Sequence, residues 1–100
     1  MKTLKEITLD KSKALILRPD GNHDTIDAQE LRDRMDKPEG FRALQDIVGG
    51  SFEFVYLDNW ILAVNENGLN RNLEPNQEAC DYSGRYLVGD CLLIHRSYIR

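Results

Sequence analysis

The sequence is poor in the residues that build metal centres and disulfide frameworks. It has two cysteines, Cys80 and Cys91, and two histidines, His23 and His95, and it contains no CxxC pair. Structural metal sites draw on clusters of such ligands, usually arranged as closely spaced pairs. We therefore predict no metal site and no cofactor, and we interpret both cysteines as reduced thiols that pack as small apolar side chains.

Long apolar runs and an excess of positive charge are also missing. No run approaches the roughly 18 apolar residues of a membrane-spanning helix, and the lysine-rich start is not followed by the apolar core of a signal peptide. These features predict a cytoplasmic protein without membrane contact. Thirteen basic against seventeen acidic residues give a net charge of −4, which is the wrong sign for nucleic-acid binding dominated by phosphate contacts.

Familiar catalytic patterns are absent as well. The chain has no phosphate-binding glycine loop, no GxSxG and no HExxH. Cys91 and His95 would lie roughly 13 Å apart on a strand, whereas a nucleophile and its base must approach to about 3 Å. His23 lies in a turn rich in glycine and asparagine and is expected to be exposed. The sequence therefore favours a protein without enzymatic activity.

What is present is the composition of a small globular domain. With 41% hydrophobic and 30% charged residues, a chain of this length can bury one core without metals or disulfides. We predict a single α+β domain over residues 1–100, with a polar leader over residues 1–12. Its core would be an antiparallel sheet of about four to six strands with one or two helices packed on one face.

A β-hairpin over residues 49–68 is predicted as the centre of this sheet. Asp58 and Asn59 suit a two-residue turn, which would place Leu57 opposite Trp60 and so set the register of every other pair. Both faces of the hairpin are then largely apolar, so the sheet is either covered on both sides or leaves one face open for a partner. The Asn67-Gly68 turn signal and the alternation of leucines that follows predict a third strand over residues 69–73.

The remaining elements follow from spacing and turn residues. Strands are predicted over residues 13–17, 23–26 and 86–94, the last bent at Gly89 and Asp90. A mostly solvated helix should begin after Asp27, whose side chain can cap the backbone at Glu30. A second helix should follow Pro38 and end at Gly49 and Gly50. Its apolar residues fall on one face: Phe41, Leu44, Ile47 and Val48.

Glu53 is a candidate functional carboxylate, because the predicted register surrounds it with apolar side chains. Burial there would raise its pKa unless a cation compensates its charge. Two interpretations remain open. Glu53 or Asp90 could serve an enzyme if a second carboxylate or a histidine lay nearby, or Glu53 could be paired with an arginine such as Arg71 or Arg85.

Polar side chains near one end of the predicted hairpin form a second candidate site. Amides such as Asn65 and Asn76 can hydrogen bond to a small polar ligand or to another backbone, although asparagine is also an ordinary turn residue. Together with aromatic side chains of the hairpin, they could bind a nucleotide-like signal. The residues concerned are Asn65, Glu66, Asn76, Phe52, Tyr56 and Trp60.

Five segments in this order resemble a known family: LQDIVGG, SFEFVYLD, AVNENG, LEPNQEA and VGD. The family consists of small proteins and domains known only as a domain of unknown function, found in phages, plasmids and their bacterial hosts. The resemblance covers residues 14–94. In this chain the stretch 27–37, which leads into the second predicted helix, is longer than the corresponding link in the family. Its most specific positions are Gly49, Gly50, Glu53, Asn65, Glu66, Gly68, Asn76, Ala79 and Gly89, the glycines as structural residues.

The resemblance implies a mobile-element setting and supplies no catalytic residues. Together with the missing catalytic motifs, it leads us to expect a non-enzymatic accessory protein that binds a host protein, to counter a defence or to redirect a host enzyme. The two alternatives are a small-ligand binder and an enzyme using Glu53 or Asp90. The sequence does not determine the partner, the ligand or the oligomeric state.

Overall fold

Five strands form a single antiparallel sheet in a computed structural model that describes residues 9–68 and 71–99. Along the sheet the strands follow the order β2-β1-β5-β4-β3. The predicted α+β class is confirmed. The strands are β1 (Lys13–Leu17), β2 (His23–Asp27), β3 (Phe52–Leu57), β4 (Trp60–Asn65) and β5 (Cys91–His95).

The hairpin of β3 and β4 has the predicted register but not the predicted position. Leu57 lies opposite Trp60, and the pairs continue to Phe52 opposite Asn65. In the turn, Asp58 adopts the left-handed conformation with φ +61°. β5 is the middle strand of the sheet and β3 is an edge strand, so the prediction of a central hairpin is wrong. β5 pairs with both β1 and β4, using side chains that are fully buried on both faces.

The prediction of a third strand over residues 69–73 is also wrong for the part of it that the structure describes. Leu69 and Asn70 lie outside the described residues, and residues 71–74 form a turn and an irregular segment instead of a strand. The neighbour of β4 on that side is β5, which arrives from much later in the chain. A single backbone bridge joins Pro75 to Val88 just before β5 begins.

Three helices and a short 3₁₀ helix complete the described chain. Asp27 caps α1 by accepting a hydrogen bond from the Glu30 N–H, as predicted, and half of the residues of this helix are exposed. α2 ends at Gly49, whose φ of +82° gives the left-handed C-cap that the sequence predicts. The helices are α1 (Ala28–Met35), α2 (Gly40–Val48) and α3 (Gln77–Ser83), and the 3₁₀ helix spans Arg96–Tyr98.

Each face of the sheet has its own core, since the side chains of successive strand residues alternate between faces. Leu92 and Ile94 of β5 point toward α1 and α2, where Leu31 and Leu44 are fully buried. Cys91 and Leu93 of the same strand point to the other face, which Ala79 of α3 helps to cover. The sheet is therefore covered on both sides, the first of the two alternatives for its apolar faces.

Candidate functional site

Strand ends, loops and the last turn of α2 line an open cleft of about 450 Å³ at one end of the sheet. The antiparallel register brings the end of β1 and the end of β4 beside the start of β5. We call this region the polar end. The cleft is lined by Arg18, Pro19, Asp20, Asp46, Ile47, Val48, Gly49, Arg71, Leu73, Glu74, Gly89 and Asp90.

Arg18 links three segments at the polar end. Its guanidinium binds the Asp24 carboxylate on β2 and donates to Asp90 Oδ2 at 2.7 Å, just before β5. The Asp24 hydrogen bond is the main cause that raises the pKa of Arg18, against the desolvation that lowers it. Asp90, a predicted catalytic alternative, thus has an arginine as its neighbour in the described structure.

Asn65 holds α2 against the hairpin at the same end. Its Nδ2 donates to the Val48 carbonyl at 3.0 Å, and its Oδ1 accepts from the Asn67 N–H at 2.8 Å. The exposed Arg71 side chain donates to the next carbonyl, that of Gly49. The carbonyls of Val48 and Gly49 at the C-terminal end of α2, which lack partners within the helix, are therefore bound by side chains from the last residue of β4 and from the segment after it.

Asn76 makes three hydrogen bonds while fully buried. Its Nδ2 donates to the carbonyls of Leu17 and Gly89, both at 2.8 Å, and its Oδ1 caps α3 by accepting from the Ala79 N–H at 3.2 Å. An amide nitrogen has two protons, and both are used. In the structure, Asn76 binds this protein's own backbone, which leaves no donor for a ligand.

Three of the four glycines predicted as structural, Gly50, Gly68 and Gly89, lie where a side chain would collide with its neighbours, whereas Gly49 has space for a Cβ but a left-handed φ of +82°. A Cβ at Gly68 would come within 2.5 Å of Val88 Cγ2, and one at Gly89 within 2.8 Å of Leu73 Cδ1. Gly89 also has φ +75°, which bends the chain into β5. At Gly50, the obstacles to a Cβ would be the side chains of Arg71 and Asn65.

The structure does not bring all the predicted ligand-binding residues together. Asn65 ends β4 at the polar end, while Trp60 begins the same strand roughly 17 Å away. The Trp60 ring meets the His95 ring edge to face, with centroids 5.2 Å apart. Glu66 is exposed in the turn that follows β4, and Tyr56 lies near the Trp60 end.

Glu53 fits the second of its two interpretations. It is exposed on the edge strand β3, and its Oε1 lies 3.8 Å from Arg85 Nη2. The apolar neighbours expected from the register do not bury it, because β3 has a strand on one side only within the described chain. The catalytic interpretation needed a second carboxylate or a histidine beside Glu53. The charged neighbour of Glu53 in the described chain is instead Arg85.

An aromatic row follows the open edge of the sheet. Phe52, Phe54 and Tyr56 alternate along β3 and share one face. The ring centroids of Phe52 and Phe54 are 5.3 Å apart, and those of Phe54 and Tyr56 are 6.2 Å apart. Phe41 of α2 joins the row, 5.7 Å from Phe52. We call these four residues the aromatic edge. Tyr56 is 67% exposed and Phe41 66% exposed, so Phe41 lies outside the core although the sequence places it on the apolar face of α2.

At these aromatic residues, the backbone N–H and C=O groups of β3 lie in the plane of the sheet and point away from β4. A two-residue turn makes Leu57 and Trp60 a hydrogen-bonded pair, and such pairs recur at every second residue. The bond from the Glu66 N–H to the Ser51 carbonyl, at 3.0 Å, continues this series. Phe52, Phe54 and Tyr56 therefore direct their N–H and C=O groups outward, where no other backbone segment among residues 9–68 and 71–99 pairs with them.

The pair formed by His23 and Glu78 was not foreseen from the sequence. His23 Nε2 lies 2.8 Å from Glu78 Oε1, with side chains only 14% and 15% exposed. The expectation of an exposed His23 is therefore wrong. Glu78 Oε2 is buried and has no hydrogen-bond partner in the described part of the chain. The two residues are 55 apart in sequence, and no local pattern connects a strand residue to a helix at that separation.

Both cysteines are free in the structure, and Cys91 is buried as interpreted from the sequence, whereas Cys80 is only partly buried. Cys91 is fully buried, and this burial, with smaller contributions from the Asp90 charge and from Cys80, raises the pKa of its thiol to about 12. Such a thiol is protonated near neutral pH and is a poor nucleophile. Cys80 donates to the Leu87 carbonyl and accepts from the Leu87 N–H, both at 3.2 Å.

Comparison with known proteins yields one match. The model of a family described as a domain of unknown function, DUF3846, matches residues 12–98. No curated protein and no solved structure matches the chain. Across the described residues, no helix has the length and apolar character needed to cross a membrane, and no group of three or more histidine, cysteine or acidic side chains is arranged to hold a metal ion.

Proposed function

Since the chain belongs to the DUF3846 family, whose function is unknown, we propose from its geometry that it is a non-enzymatic protein-binding module. The binding surface is the aromatic edge, and the ligand is an extended segment of another protein. This segment adds to the sheet as a further strand beside β3. In this mode, main-chain hydrogen bonds provide affinity and side-chain contacts provide specificity.

The observation that carries the proposal is the coincidence of two features at the same residues. Phe52, Phe54 and Tyr56 present their backbone N–H and C=O groups to the open edge, and they also present aromatic rings on one face. Natural proteins usually protect long edge strands with charges, proline or bulges. On the outer side of β3 these features are missing, apart from Glu53, which points to the opposite face.

The other edge of the sheet shows what protection looks like. β2 has the sequence HDTID, with Asp24 and Asp27 in ion pairs to Arg18 and Lys13. Its central residue Thr25 is exposed, and its backbone groups point outward by the same alternation. The sheet thus has one charged edge and one aromatic edge, and only the second is suited to burial against a partner.

A substitution on each edge tests the proposal. Tyr56→Lys places a charge in the aromatic row, while Thr25→Lys makes the same change on β2 as a matched control. We expect a protein captured from bacterial lysate by the wild type and by T25K to be lost with Y56K. With the purified complex, amide hydrogen exchange at residues 52, 54 and 56 should slow. Equal capture by all three proteins, or capture by none, contradicts the proposal.

A finer part of the proposal concerns the setting. The resemblance to small proteins of phages and plasmids supports a host protein as the partner, met in the cytoplasm of a bacterium, with the outcome that a defence is blunted or a host enzyme is redirected. Capture experiments in a bacterial lysate suit this setting. Recovery of the partner only from phage or plasmid proteins, and never from host proteins, would contradict this part alone.

Binding of a small polar ligand is a second candidate function, and the cleft at the polar end favours it. Its volume of about 450 Å³ lies within the range of ordinary ligand sites. Arg71 is the exposed cation on its wall, held by the Gly49 carbonyl. An anionic group of a nucleotide-like ligand would be bound there, while Asn65 and Asn76 would support the walls of the cleft.

A thermal-shift screen with mononucleotides and cyclic dinucleotides tests this second function. A ligand at about 100 times its Kd stabilises the folded state by about 2.7 kcal/mol, which is easily measured in a domain of this size. Arg71→Gln should abolish the shift, and Arg34→Gln, on the exposed face of α1, should not. A shift that survives Arg71→Gln would show that the ligand binds elsewhere.

A further inference from the structure

The strand sequence at the aromatic edge is complementary to itself. Residues 52–56 are Phe-Glu-Phe-Val-Tyr, and an antiparallel copy centred on Phe54 places Phe54 opposite Phe54 and Phe52 opposite Tyr56. All three facing pairs on that side of the sheet are aromatic. Aromatic pairs directly across two antiparallel strands are among the favourable cross-strand combinations.

Hydrogen bonding selects the same register. Phe52, Phe54 and Tyr56 are the residues of β3 with outward backbone groups. Centring on Phe54 places each of them opposite a residue of the second copy whose backbone groups also point outward, so all three can form hydrogen bonds. Centring on Val55 would place Phe52 opposite Asp58, which lies in the turn with φ +61°, so the outer bonds would be lost. The register centred on Phe54 is thus the one that uses the whole strand.

Charge also favours this register. Centring on Glu53 would place two carboxylates directly opposite each other, a destabilising arrangement. Centring on Phe54 places Glu53 opposite Val55 instead. The two Glu53 residues then lie diagonally, and each has Arg85 of its own chain at 3.8 Å to compensate its charge. The charged edge at β2 offers no comparable aromatic pairing.

We propose that two copies of this chain pair through β3 in this register, forming a two-fold dimer with a continuous ten-stranded antiparallel sheet. The inference rests on the proposed function because it concerns the same edge: the second copy covers the aromatic edge until a partner segment displaces it. An isologous contact of this kind closes on itself and leaves only the two charged β2 edges exposed. The dimer is therefore a protected resting state.

Sedimentation of the wild-type protein over a range of concentrations is the first test. We expect a dimer at high concentration that dissociates on dilution, with Tyr56→Lys raising the dissociation constant at least about tenfold and Thr25→Lys leaving it unchanged. Exchange of the amides at residues 52, 54 and 56 should slow as the concentration rises. A wild-type protein that stays monomeric up to about 1 mM overturns the proposal.

Cysteine cross-linking tests the register. In the proposed dimer, Phe54 faces its own symmetry mate at the Cα separation of about 5.5 Å that a disulfide spans, so Phe54→Cys should form a disulfide-linked dimer with oxidised glutathione as the electron acceptor. Tyr56→Cys is the matched control, because two such residues lie roughly 13 Å apart. It should cross-link only when mixed with Phe52→Cys. The wild type, treated in the same way, reports any linkage through Cys80 or Cys91.

The outcomes separate this inference from the proposed function. A dimer in which Phe54→Cys and the mixed pair both fail to cross-link shows association through another surface and overturns the inference. A monomeric wild type that still captures a partner in a manner sensitive to Tyr56→Lys also overturns it, but leaves the proposed function standing. A cross-linked dimer that captures no partner supports the inference and contradicts the proposed function.

Discussion

Asn76 is a buried side chain that joins three segments of the chain. It contacts the end of β1 at Leu17, the bend before β5 at Gly89 and the first turn of α3 at Ala79. An asparagine can do this because its amide offers two donors and an acceptor in a fixed geometry. A buried polar residue with this set of partners supports a unique arrangement of the chain around it.

Replacing Asn76 with alanine should therefore be costly. Asn76→Ala leaves two buried carbonyls without their donor and α3 without its cap, and we expect a loss of about 2–4 kcal/mol in the free energy of unfolding. Chemical denaturation measures it. Asn67→Ala changes an exposed asparagine in the turn that follows β4. This variant should change the free energy of unfolding by no more than about 0.5 kcal/mol. Equal losses for the two variants would contradict the role assigned to Asn76.

Cys91 should make the stability of the protein depend on alkaline pH. Burial raises the pKa of its thiol from 9.0 to about 12, so the folded state holds a proton that the unfolded state releases. The resulting stability is present below pH 9 and is lost as pH rises toward 12, at about 1.4 kcal/mol per pH unit. Denaturation at pH 8 to 10.5 measures this slope. In Cys91→Ala the slope should become shallower, and an unchanged slope would assign it to other groups.

At the scale of elements, helix ends and hairpin turns are set by local chemistry. Asp27 caps α1, Gly49 ends α2, and Asp58 with Asn59 turns β3 into β4. Each of these was predicted, since capping boxes, left-handed glycines and two-residue turns depend on residues within one turn of the chain. The position of the elements relative to each other has no such local cause.

Gly49→Ala tests the end of α2. A Cβ at this position would meet no atom closer than Asn65 Nδ2 at 4.0 Å, so the cost comes from the left-handed φ of +82° alone. We expect a loss of about 1 kcal/mol in the free energy of unfolding. Gln45→Ala, at an exposed position of the same helix, should be neutral or slightly stabilising because alanine favours helix. A neutral Gly49→Ala would contradict the assigned conformation.

At the scale of the whole molecule, β5 joins the two cores. Leu92 packs toward α1 and α2, Leu93 packs toward α3, and both are fully buried. Because the same strand contributes to both faces, loss of packing on one face weakens the anchorage of the other. The domain should therefore unfold in one cooperative step.

Leu92→Ala and Leu93→Ala test this coupling. Each should lower the free energy of unfolding by about 2–5 kcal/mol, the usual cost of truncating a buried leucine. Far-UV circular dichroism and the fluorescence of Trp60 should report the same transition midpoint in both variants. If Leu93→Ala gave two separate transitions, the core beneath α3 would be an independent unit and the expectation of one cooperative domain would fail.

The candidate sites show where prediction from sequence succeeds. Arg85 was one of the two arginines named as a partner for Glu53, and it lies 3.8 Å from the Glu53 carboxylate, although Glu53 is exposed and not buried as the register suggested. Asn65 and Asn76 were recognised as distinctive amides, but their partners are backbone carbonyls of Val48, Leu17 and Gly89. A polar residue in the sequence does not show whether the atoms it binds belong to a ligand or to its own fold.

By itself, the sequence determined the α+β class, the hairpin register and the caps, since periodicity and turn chemistry act over a few residues. Only the tertiary structure decided that β5 lies in the middle of the sheet, that β3 is an open edge and that His23 meets Glu78. The physical reason is that strand order depends on which apolar faces pack together across long stretches of chain. The aromatic edge, the basis of both proposals, exists because β5 pairs with β4 and leaves β3 outermost.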